Sequence, residues 1–316
     1  MTNDSASTTA TAAPGTTSIG HTCFSDEIYS QVEHLYSDYS EHVEHITSFL
    51  EQTVLPNVEQ PPSEESTSTT SRNDADNITS CDEKLKKKQD GGLALLDIGA
   101  GPGQITHKLA RHFHAIQVME PNPSPDYLAS YARADPPFSV HPSPTLEEAA
   151  ITPNAYDLIL CSHVMYHVDP SKWSECLRKL HAGLRKPHGR LVVALIAPRG
   201  PWYEFMCSLR PNHEVEMHTG TLCQKLEDDL PNLEYKAYPQ KVSLAVPSER
   251  SSEFRNLVRL FSIADTWTPT EWEDLGEDGW KEAERKVEKF IQGQCLDRET
   301  REYRLEFDED YVVVRA

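Results

Sequence analysis

Basic residues, paired cysteines and long apolar runs are all scarce in this chain of 316 residues. The 30 Lys and Arg are outnumbered by 50 Asp and Glu, and the formal net charge of -20 argues against nucleic-acid or anionic-membrane partners. The 7 cysteines include no C-x-x-C pair, so they indicate reduced thiols and not a disulfide framework. The longest strictly aliphatic run, residues 191–197, is too short to span a bilayer.

The amino-terminal segment also lacks the marks of a targeting signal. Residues 1–20 contain neither Lys nor Arg and no apolar core, which argues against a secretory signal or a mitochondrial presequence. We therefore predict a cytoplasmic protein, expected to be a monomer, in which the sequon at Asn77 is not used. With 38% hydrophobic and 25% charged residues, the composition is typical of a globular protein with some disordered segments.

Two common nucleotide-binding loops are missing. The chain has no G-x-x-x-x-G-K-[ST] phosphate loop, and Gln104 stands where G-x-G-x-x-G would need a glycine in register. The chain instead contains LALLDIGAGPGQ, an apolar run that ends at Asp97 and is followed by Gly99, Gly101 and Gly103. This order predicts a buried strand, a tight turn and a helix N-terminus, where an adenosine-bearing cofactor binds at the end of the first strand.

Apolar strands and helices alternate through the middle of the chain, which predicts a parallel sheet covered on both faces. Strands are predicted at residues 93–99, 115–120, 158–163 and 190–197, and helices at 104–113, 126–134 and 171–185, the last capped by Ser171. Two later strands are predicted at 242–246 and 311–315. A helical region lies between them at 248–295, interrupted at 266–279.

Carboxylates and histidines stand at two predicted strand ends. Glu120 ends the second strand about twenty residues after the glycines, where a carboxylate can accept both ribose hydroxyls of a nucleoside; the alternative is a solvated glutamate. Asp157 opens the third strand, whose carboxyl end carries Ser162, His163 and His167. Open α/β sheets keep their sites at this edge, although a histidine bonded to backbone is an equally ordinary outcome.

The spacing D-x-G-x-G-x-G resembles motif I of class I S-adenosylmethionine-dependent methyltransferases, and the segment from Asp157 resembles their motif IV. The resemblance covers about residues 93–197. It implies an α/β fold with a Rossmann-like, seven-stranded, mostly parallel sheet and an antiparallel C-terminal hairpin, and it implies S-adenosylmethionine as cofactor. The implied cofactor-binding residues are Asp97, Gly99, Gly101, Gly103, Gln104, Glu120 and Ser162.

The N-terminal segment is similar to that of histamine N-methyltransferases, through Phe24-Ser25-Asp26 and Ser40-Glu41-His42. This resemblance implies that Glu41 holds the substrate amine, that Phe24 forms an aromatic wall of the pocket, and that Thr145 lies near the adenine. By the spacing alone, Glu41 is equally well a solvated residue or part of a helix-capping box with Asp38.

The same family resemblance extends to Gly200-Pro201-Trp202-Tyr203, so Trp202 and His167 are predicted to line the substrate pocket together with Glu41. The chain departs from the family at His163 and His167, where the family has Gln and Tyr. The family's substrate-contacting Asn falls on Phe307 or a neighbouring acidic residue. The acceptor is therefore predicted only as a small amine or nitrogen heterocycle.

The predicted domain organisation has four parts. Residues 1–22 form a disordered tail, 23–56 a helical lid that ends at Pro56, and 57–90 a low-complexity linker. Residues 91–316 form the methyltransferase domain, with a helical insertion at about 248–296 before the last strand.

Methyl transfer from a sulfonium is an in-line displacement, so the predicted catalytic residues are those that orient and deprotonate the acceptor: Glu41, His163 and His167. No metal-ligand spacing is present, and no metal site is predicted. Three alternatives stay open: a methyltransferase acting on oxygen or on another small molecule of secondary metabolism, a cofactor-binding protein without catalysis, and an NAD-dependent oxidoreductase, which Gln104 disfavours.

Overall fold

The computed structural model describes residues 40–59, 92–121, 123–141, 145–209, 217–248, 251–263, 269–297 and 299–316. The predicted tail at 1–22, Phe24 and most of the predicted linker lie outside these residues. Within the described ranges, none of the helices has the length and apolar character needed to cross a membrane.

The described residues form one mixed sheet. Its strands are β1 (Leu93–Ile98), β2 (Phe113–Met119), β3 (Ser139–Val140), β4 (Leu158–Ser162), β5 (Arg190–Ile196), β6 (Tyr235–Pro247), β7 (Cys295–Asp297) and β8 (Glu302–Arg315). They follow the order β3-β2-β1-β4-β5-β8-β6, with β7 beside β8. Strands β1 to β5 pair in parallel, and β8 runs antiparallel to β5, β6 and β7. The predicted fold class is confirmed.

Helices pack against both faces of the sheet, and others lie beyond its carboxyl edge. They are α1 (His42–Phe49), α2 (Leu55–Glu59), α3 (Gln104–Leu109), α4 (Pro125–Arg133), α5 (Trp173–Gly183), α6 (Gly200–Leu209), α7 (Thr219–Asp229), α8 (Ser252–Ile263) and α9 (Pro269–Gln292). The pair α8 and α9 lies between β6 and β8, where the sequence predicts a helical insertion.

The sheet is buried on both faces because successive apolar residues of each central strand point to opposite sides. Leu95 and Val192 pack in one cluster with residues of α1 and α4, whereas Leu96 and Val193 pack in the other with residues of α5 and α7. The continuous apolar runs of β1, β4 and β5 thus supply two cores, and their carboxyl ends meet at one edge.

Several helix boundaries differ from the prediction. The first helical segment continues past Pro56 and is described as far as Glu59, with a π-helical stretch at Leu50–Val54 just before the proline. The N-cap of α5 is Lys172, so the prediction of Ser171 as the cap is wrong; Asp169 caps the 3₁₀ turn Pro170–Lys172 before it, where its carboxylate accepts the N–H of Ser171. The predicted break at 266–279 is too long, since α9 begins at Pro269.

Strand lengths also differ from the prediction. β6 and β8 extend over 13 and 14 residues, far beyond the predicted 242–246 and 311–315, and β3 is not predicted at all. Polar residues interrupt the apolar alternation over most of β6 and β8, so the pattern does not predict their full length. β3 is too short to give a pattern, with only 2 residues. Pro239 within β6 is tolerated because β6 is the edge strand of the sheet.

Trp202 lies in a third apolar cluster beneath the insertion. Its ring is 2% exposed and stands 4.9 Å from Phe261 and 5.3 Å from Phe307, measured between ring centroids. The side chain of Trp202 thus packs α6 against the insertion and β8, and its role as a wall of the substrate pocket stays a prediction. Phe307, predicted near a substrate contact, is buried in the same cluster.

We expect Trp202→Ala to lower the free energy of unfolding by about 3–5 kcal/mol, because it leaves a large cavity. Trp202→Phe is expected to cost less than Trp202→Ala, because it leaves a smaller cavity. The indole Nε1 is buried without a hydrogen-bond partner among the described residues, so phenylalanine loses no bond there. Denaturant unfolding measures both values. A small loss for Trp202→Ala, accompanied by weaker substrate binding, would favour the predicted pocket role over the packing role.

Candidate active site

The glycine-rich turn connects β1 to α3 at the carboxyl edge of the sheet. Gly99, Gly101 and Gly103 all have positive φ angles, of 64°, 51° and 77°. A Cβ atom on Gly99 would lie 2.4 Å from Cγ2 of Val164, so a side chain is excluded there by packing as well as by backbone conformation. The turn therefore brings backbone N–H groups and the start of α3 to one place, with Gln104 as the first helical residue.

Glu120 lies beside this turn because β2 runs parallel to β1. Its Oε2 accepts the backbone N–H of Gly101 at 2.9 Å, and the N–H of Gly99 donates to the carbonyl of Met119 at 2.6 Å. The Tyr131 hydroxyl donates to the carbonyl of Gly101. A half-buried carboxylate thus stands one strand away from the glycines, a position from which it can accept hydroxyl donors.

Asp97, the carboxylate that precedes the turn, is buried in β1 and accepts a hydrogen bond from the hydroxyl of Thr106. Burial raises its pKa from the ordinary 3.8 to about 7; the Thr106 bond opposes this shift, and the nearby charge of Glu120 adds to it. Ionisation of Asp97 is therefore unfavourable in the folded chain unless a charged partner is present. A perturbed pKa of this kind is typical of functional carboxylates.

We expect Asp97→Asn to stabilise the cofactor-free protein in a pH-dependent manner. The folded state holds the Asp97 proton up to about pH 7, while the unfolded state releases it near pH 3.8, so wild-type stability falls as pH rises through this interval. Asparagine removes that loss, and the gain should grow from near zero at about pH 4 to a few kcal/mol at about pH 8. Thermal melts across this range measure it; a gain independent of pH would contradict the argument.

A second polar group lies at the same edge, where β4 and β8 meet α1. Nδ1 of His42 is 3.0 Å from Oε2 of Glu309, and Nε2 of His163 is 3.2 Å from Oε1 of the same carboxylate. The two ring nitrogens, His42 Nδ1 and His163 Nε2, are 3.4 Å apart. The other nitrogen of His42, Nε2, is 2.9 Å from the Ser162 hydroxyl. We call His42, His163 and Glu309 the His–His–Glu cluster.

Three separate elements position this cluster. His163 follows β4 with a φ of 57°, a strained conformation of the kind that is common at functional sites. Glu309 pairs with Ile196 at the end of β5, and His42 is the first residue of α1. The start of α1 is fixed to β6, because the Glu41 N–H donates to the carbonyl of Ser243 at 3.0 Å.

Burial and charge act in opposite directions within the cluster. Burial raises the pKa of Glu309, but the imidazoles of His42 and His163 outweigh burial and bring it below its ordinary value. Burial lowers the pKa of His42, and the Glu309 carboxylate offsets only part of that effect. The cluster therefore favours ionisation of Glu309, and burial opposes protonation of His42. His163, 25% exposed, is its most accessible member.

The remaining predicted site residues are not members of this cluster. Glu41 is 48% exposed, and its carboxylate is 3.2 Å from Nη2 of Arg304 and 3.8 Å from Nε2 of His45. His167 is exposed at the end of the 3₁₀ turn Met165–His167. Thr145 is half-buried in the loop before β4. The hydroxyl of Ser162, which is predicted to bind cofactor, lies 2.9 Å from Nε2 of His42.

His42 and Glu309 are the two site residues that sequence reasoning missed. His42 follows Glu41 in the quoted Ser-Glu-His segment, and Glu309 is the middle residue of three consecutive acidic residues before Tyr311. Three carboxylates entering an apolar strand give a usable signal, because a buried charge requires a partner. Their partners lie too far away in sequence for any spacing rule to identify.

A family model described as a methyltransferase domain matches residues 73–255, more than half of the chain. A search of curated proteins finds no match. Similar solved structures include the YcgJ protein of Bacillus subtilis, with 16% identity and a TM-score of 0.46 over 73% of this chain and 96% of that chain. A cyclopropane-fatty-acyl-phospholipid synthase-like protein of Lactobacillus casei has 12% identity and a TM-score of 0.47, over 71% of this chain and 85% of that chain. A TehB-like SAM-dependent methyltransferase of Corynebacterium glutamicum has 21% identity and a TM-score of 0.34, over 49% and 74%.

Proposed function

The chain belongs to the methyltransferase-domain family and uses S-adenosylmethionine as its methyl donor, and from this premise we propose that it methylates a nitrogen of a small amine or nitrogen heterocycle. The observation that carries the proposal is the position of His163. It follows the strand next to β1, it is the most exposed member of the cluster, and it is bonded to a buried carboxylate.

The glycine-rich turn, Asp97 and Glu120 fit the cofactor. The turn offers backbone N–H groups and a helix N-terminus, and Glu120 offers a carboxylate within reach of hydroxyl groups next to Gly101. Gln104 and Thr145 are further candidates for this contact. When bound, the cofactor supplies an electrophilic methyl group. The protein then has to align the acceptor and exclude water, for which effective molarity can contribute about 7–11 kcal/mol.

His163 is the proposed proton acceptor. A nitrogen nucleophile must be neutral when it attacks, and a histidine near the acceptor can take up its proton. With the Nε2–H donated to Glu309, the lone pair that accepts a proton is on Nδ1. Glu309 orients the ring and stabilises the imidazolium once it forms, so it acts as a positioning residue.

The roles of Glu41 and His167 in binding the acceptor remain predictions of the resemblance to histamine N-methyltransferases. Both side chains are exposed, and Glu41 is one residue from His42. We expect Glu41→Gln to change KM for the acceptor if Glu41 holds the amine, and to change nothing if it only pairs with Arg304. Steady-state kinetics separate the two outcomes. His167→Ala gives the same test for His167.

The test of the proposed function is incubation of the full chain with methyl-labelled S-adenosylmethionine and a panel of acceptors. The panel contains primary and secondary amines, imidazoles, phenols and carboxylates. Labelled product from a nitrogen acceptor, identified by mass spectrometry, supports the proposal. Labelled product from phenols or carboxylates alone contradicts it in favour of O-methylation. Cofactor binding with no product from any acceptor favours a protein without catalysis.

A further inference from the structure

Three atoms that are typical metal ligands converge in the His–His–Glu cluster. Nδ1 of His42, Nε2 of His163 and the carboxylate of Glu309 are each turned toward the other two. Their separations are 3.0 Å and 3.2 Å between nitrogen and oxygen, and 3.4 Å between the nitrogens. If both ring nitrogens donate their hydrogen to the Glu309 carboxylate, neither has a lone pair with which to accept a hydrogen bond from the other. The contact between the two nitrogens is then not a hydrogen bond.

These separations match the edges of a metal coordination sphere. Ligand atoms bound tetrahedrally to one Zn²⁺ at about 2.0–2.1 Å lie about 3.3–3.4 Å from one another. Two histidines and one carboxylate are a known ligand set of zinc enzymes and of non-haem iron sites. Accommodating an ion here would require shifts of only a few tenths of an ångström, on the order of those that separate the observed distances from that ideal.

The surroundings of the cluster also suit a cation. The side chains of His42 and Glu309 are 6% and 2% exposed, so the carboxylate is buried against the two imidazoles. Metal-bound histidines usually donate their second ring N–H to a neighbouring polar group, which fixes the ring. Nε2 of His42 faces the Ser162 hydroxyl at 2.9 Å, as such an arrangement requires.

We propose that His42, His163 and Glu309 form a binding site for a divalent transition-metal ion, with Zn²⁺ as the first candidate. Three protein ligands leave a fourth tetrahedral position, which is characteristic of zinc sites that bind water or a substrate. Since His163 and Glu309 follow His42 by 121 and 267 residues along the chain, no sequence spacing indicates the site.

Metal binding and the proton-accepting role of His163 exclude each other. Coordination through Nε2 places the proton of the neutral ring on Nδ1, so a metal-bound His163 has no lone pair left to accept a proton. The site is nevertheless defined by its ligand atoms alone, and its existence does not depend on the identity of the methyl acceptor.

The test measures metal binding to the full chain with no acceptor present. Protein stripped with a chelator is titrated with Zn²⁺ against a colorimetric competitor, and the bound metal is counted by mass spectrometry. We expect one Zn²⁺ per chain, with affinity reduced by about 100-fold or more in Glu309→Gln and in His163→Asn, and by about 10–100-fold in Ser162→Ala. Asparagine at 163 tolerates the positive φ angle.

His181→Gln is the matched control. His181 bonds the backbone carbonyl of Arg315 at 3.0 Å, away from the cluster, so its replacement should leave the Zn²⁺ affinity unchanged. Binding of S-adenosylhomocysteine by each variant confirms that it is folded. The proposal is overturned if wild-type protein binds no stoichiometric Zn²⁺, or if folded Glu309→Gln and His163→Asn bind it as tightly as wild type, which would place the ion elsewhere, for instance on thiols.

Discussion

Replacement of Glu309 by glutamine is expected to slow methyl transfer to the preferred amine by about 10²–10⁴-fold, the usual contribution of a general base and its support. Glutamine keeps the shape of the side chain but removes the charge that stabilises the imidazolium of His163, whose Nε2 lies 3.2 Å from the carboxylate. The loss should appear in kcat, because Glu309 is buried behind His163 and is not placed to contact the acceptor.

Glu306→Gln is the matched control for this prediction. Glu306 lies on the same strand, is 64% exposed and approaches Lys241 at 4.0 Å, so its replacement should leave kcat unchanged. All rates are measured in the presence of a chelator, which removes any effect of a metal ion at the cluster. A Glu309→Gln enzyme with a kcat within threefold of wild type, roughly the scatter of such measurements, would show that His163 needs no carboxylate or is not the base.

Replacement of Glu120 by alanine is expected to weaken binding of S-adenosylhomocysteine by about 10²-fold or more, since hydrogen bonds to a charged group contribute about 1.5–3 kcal/mol each. The substitution removes the proposed partner of the ribose hydroxyls. It also removes the acceptor of the Gly101 N–H, so the glycine-rich turn loses one of its supports. Isothermal titration calorimetry measures the change directly.

An exposed glutamate provides the comparison. Glu234→Ala should leave the dissociation constant unchanged, because its side chain is 78% exposed and pairs with Arg315 at the opposite end of the sheet. Glu120→Gln is expected to fall between the two, since an amide oxygen still accepts one hydrogen bond but carries no charge. If Glu120→Ala binds S-adenosylhomocysteine as wild type does, Glu120 serves only to hold the turn.

The strands and the glycine-rich turn could be predicted because they are local features. An apolar run such as that of β1 is buried whatever its neighbours are, and Gly99, Gly101 and Gly103 prescribe a turn with positive φ angles without reference to the rest of the chain. Errors arose where a distant partner decides the local structure. β8 continues through polar residues because β6 pairs with it along its whole length.

The catalytic assignments show the same division. His163 is predicted from its place at the end of β4, since parallel strands of an open sheet end at the edge where ligands bind. The role of Glu41 is predicted from the resemblance. In the structure its carboxylate faces Arg304, and the side chain of the next residue, His42, points into the molecule. The side on which each residue of a short helix faces depends on what the helix packs against.

The sequence by itself determined three features: the parallel pairing of the central strands, the glycine-rich turn, and the carboxylate of Glu120 beside that turn. These follow from patterns within a few dozen consecutive residues. Only the tertiary structure decided that His42, His163 and Glu309 share one site. His42 and Glu309 are separated by 267 residues, and their contact exists only because the sheet brings β4, β8 and the start of α1 to the same edge.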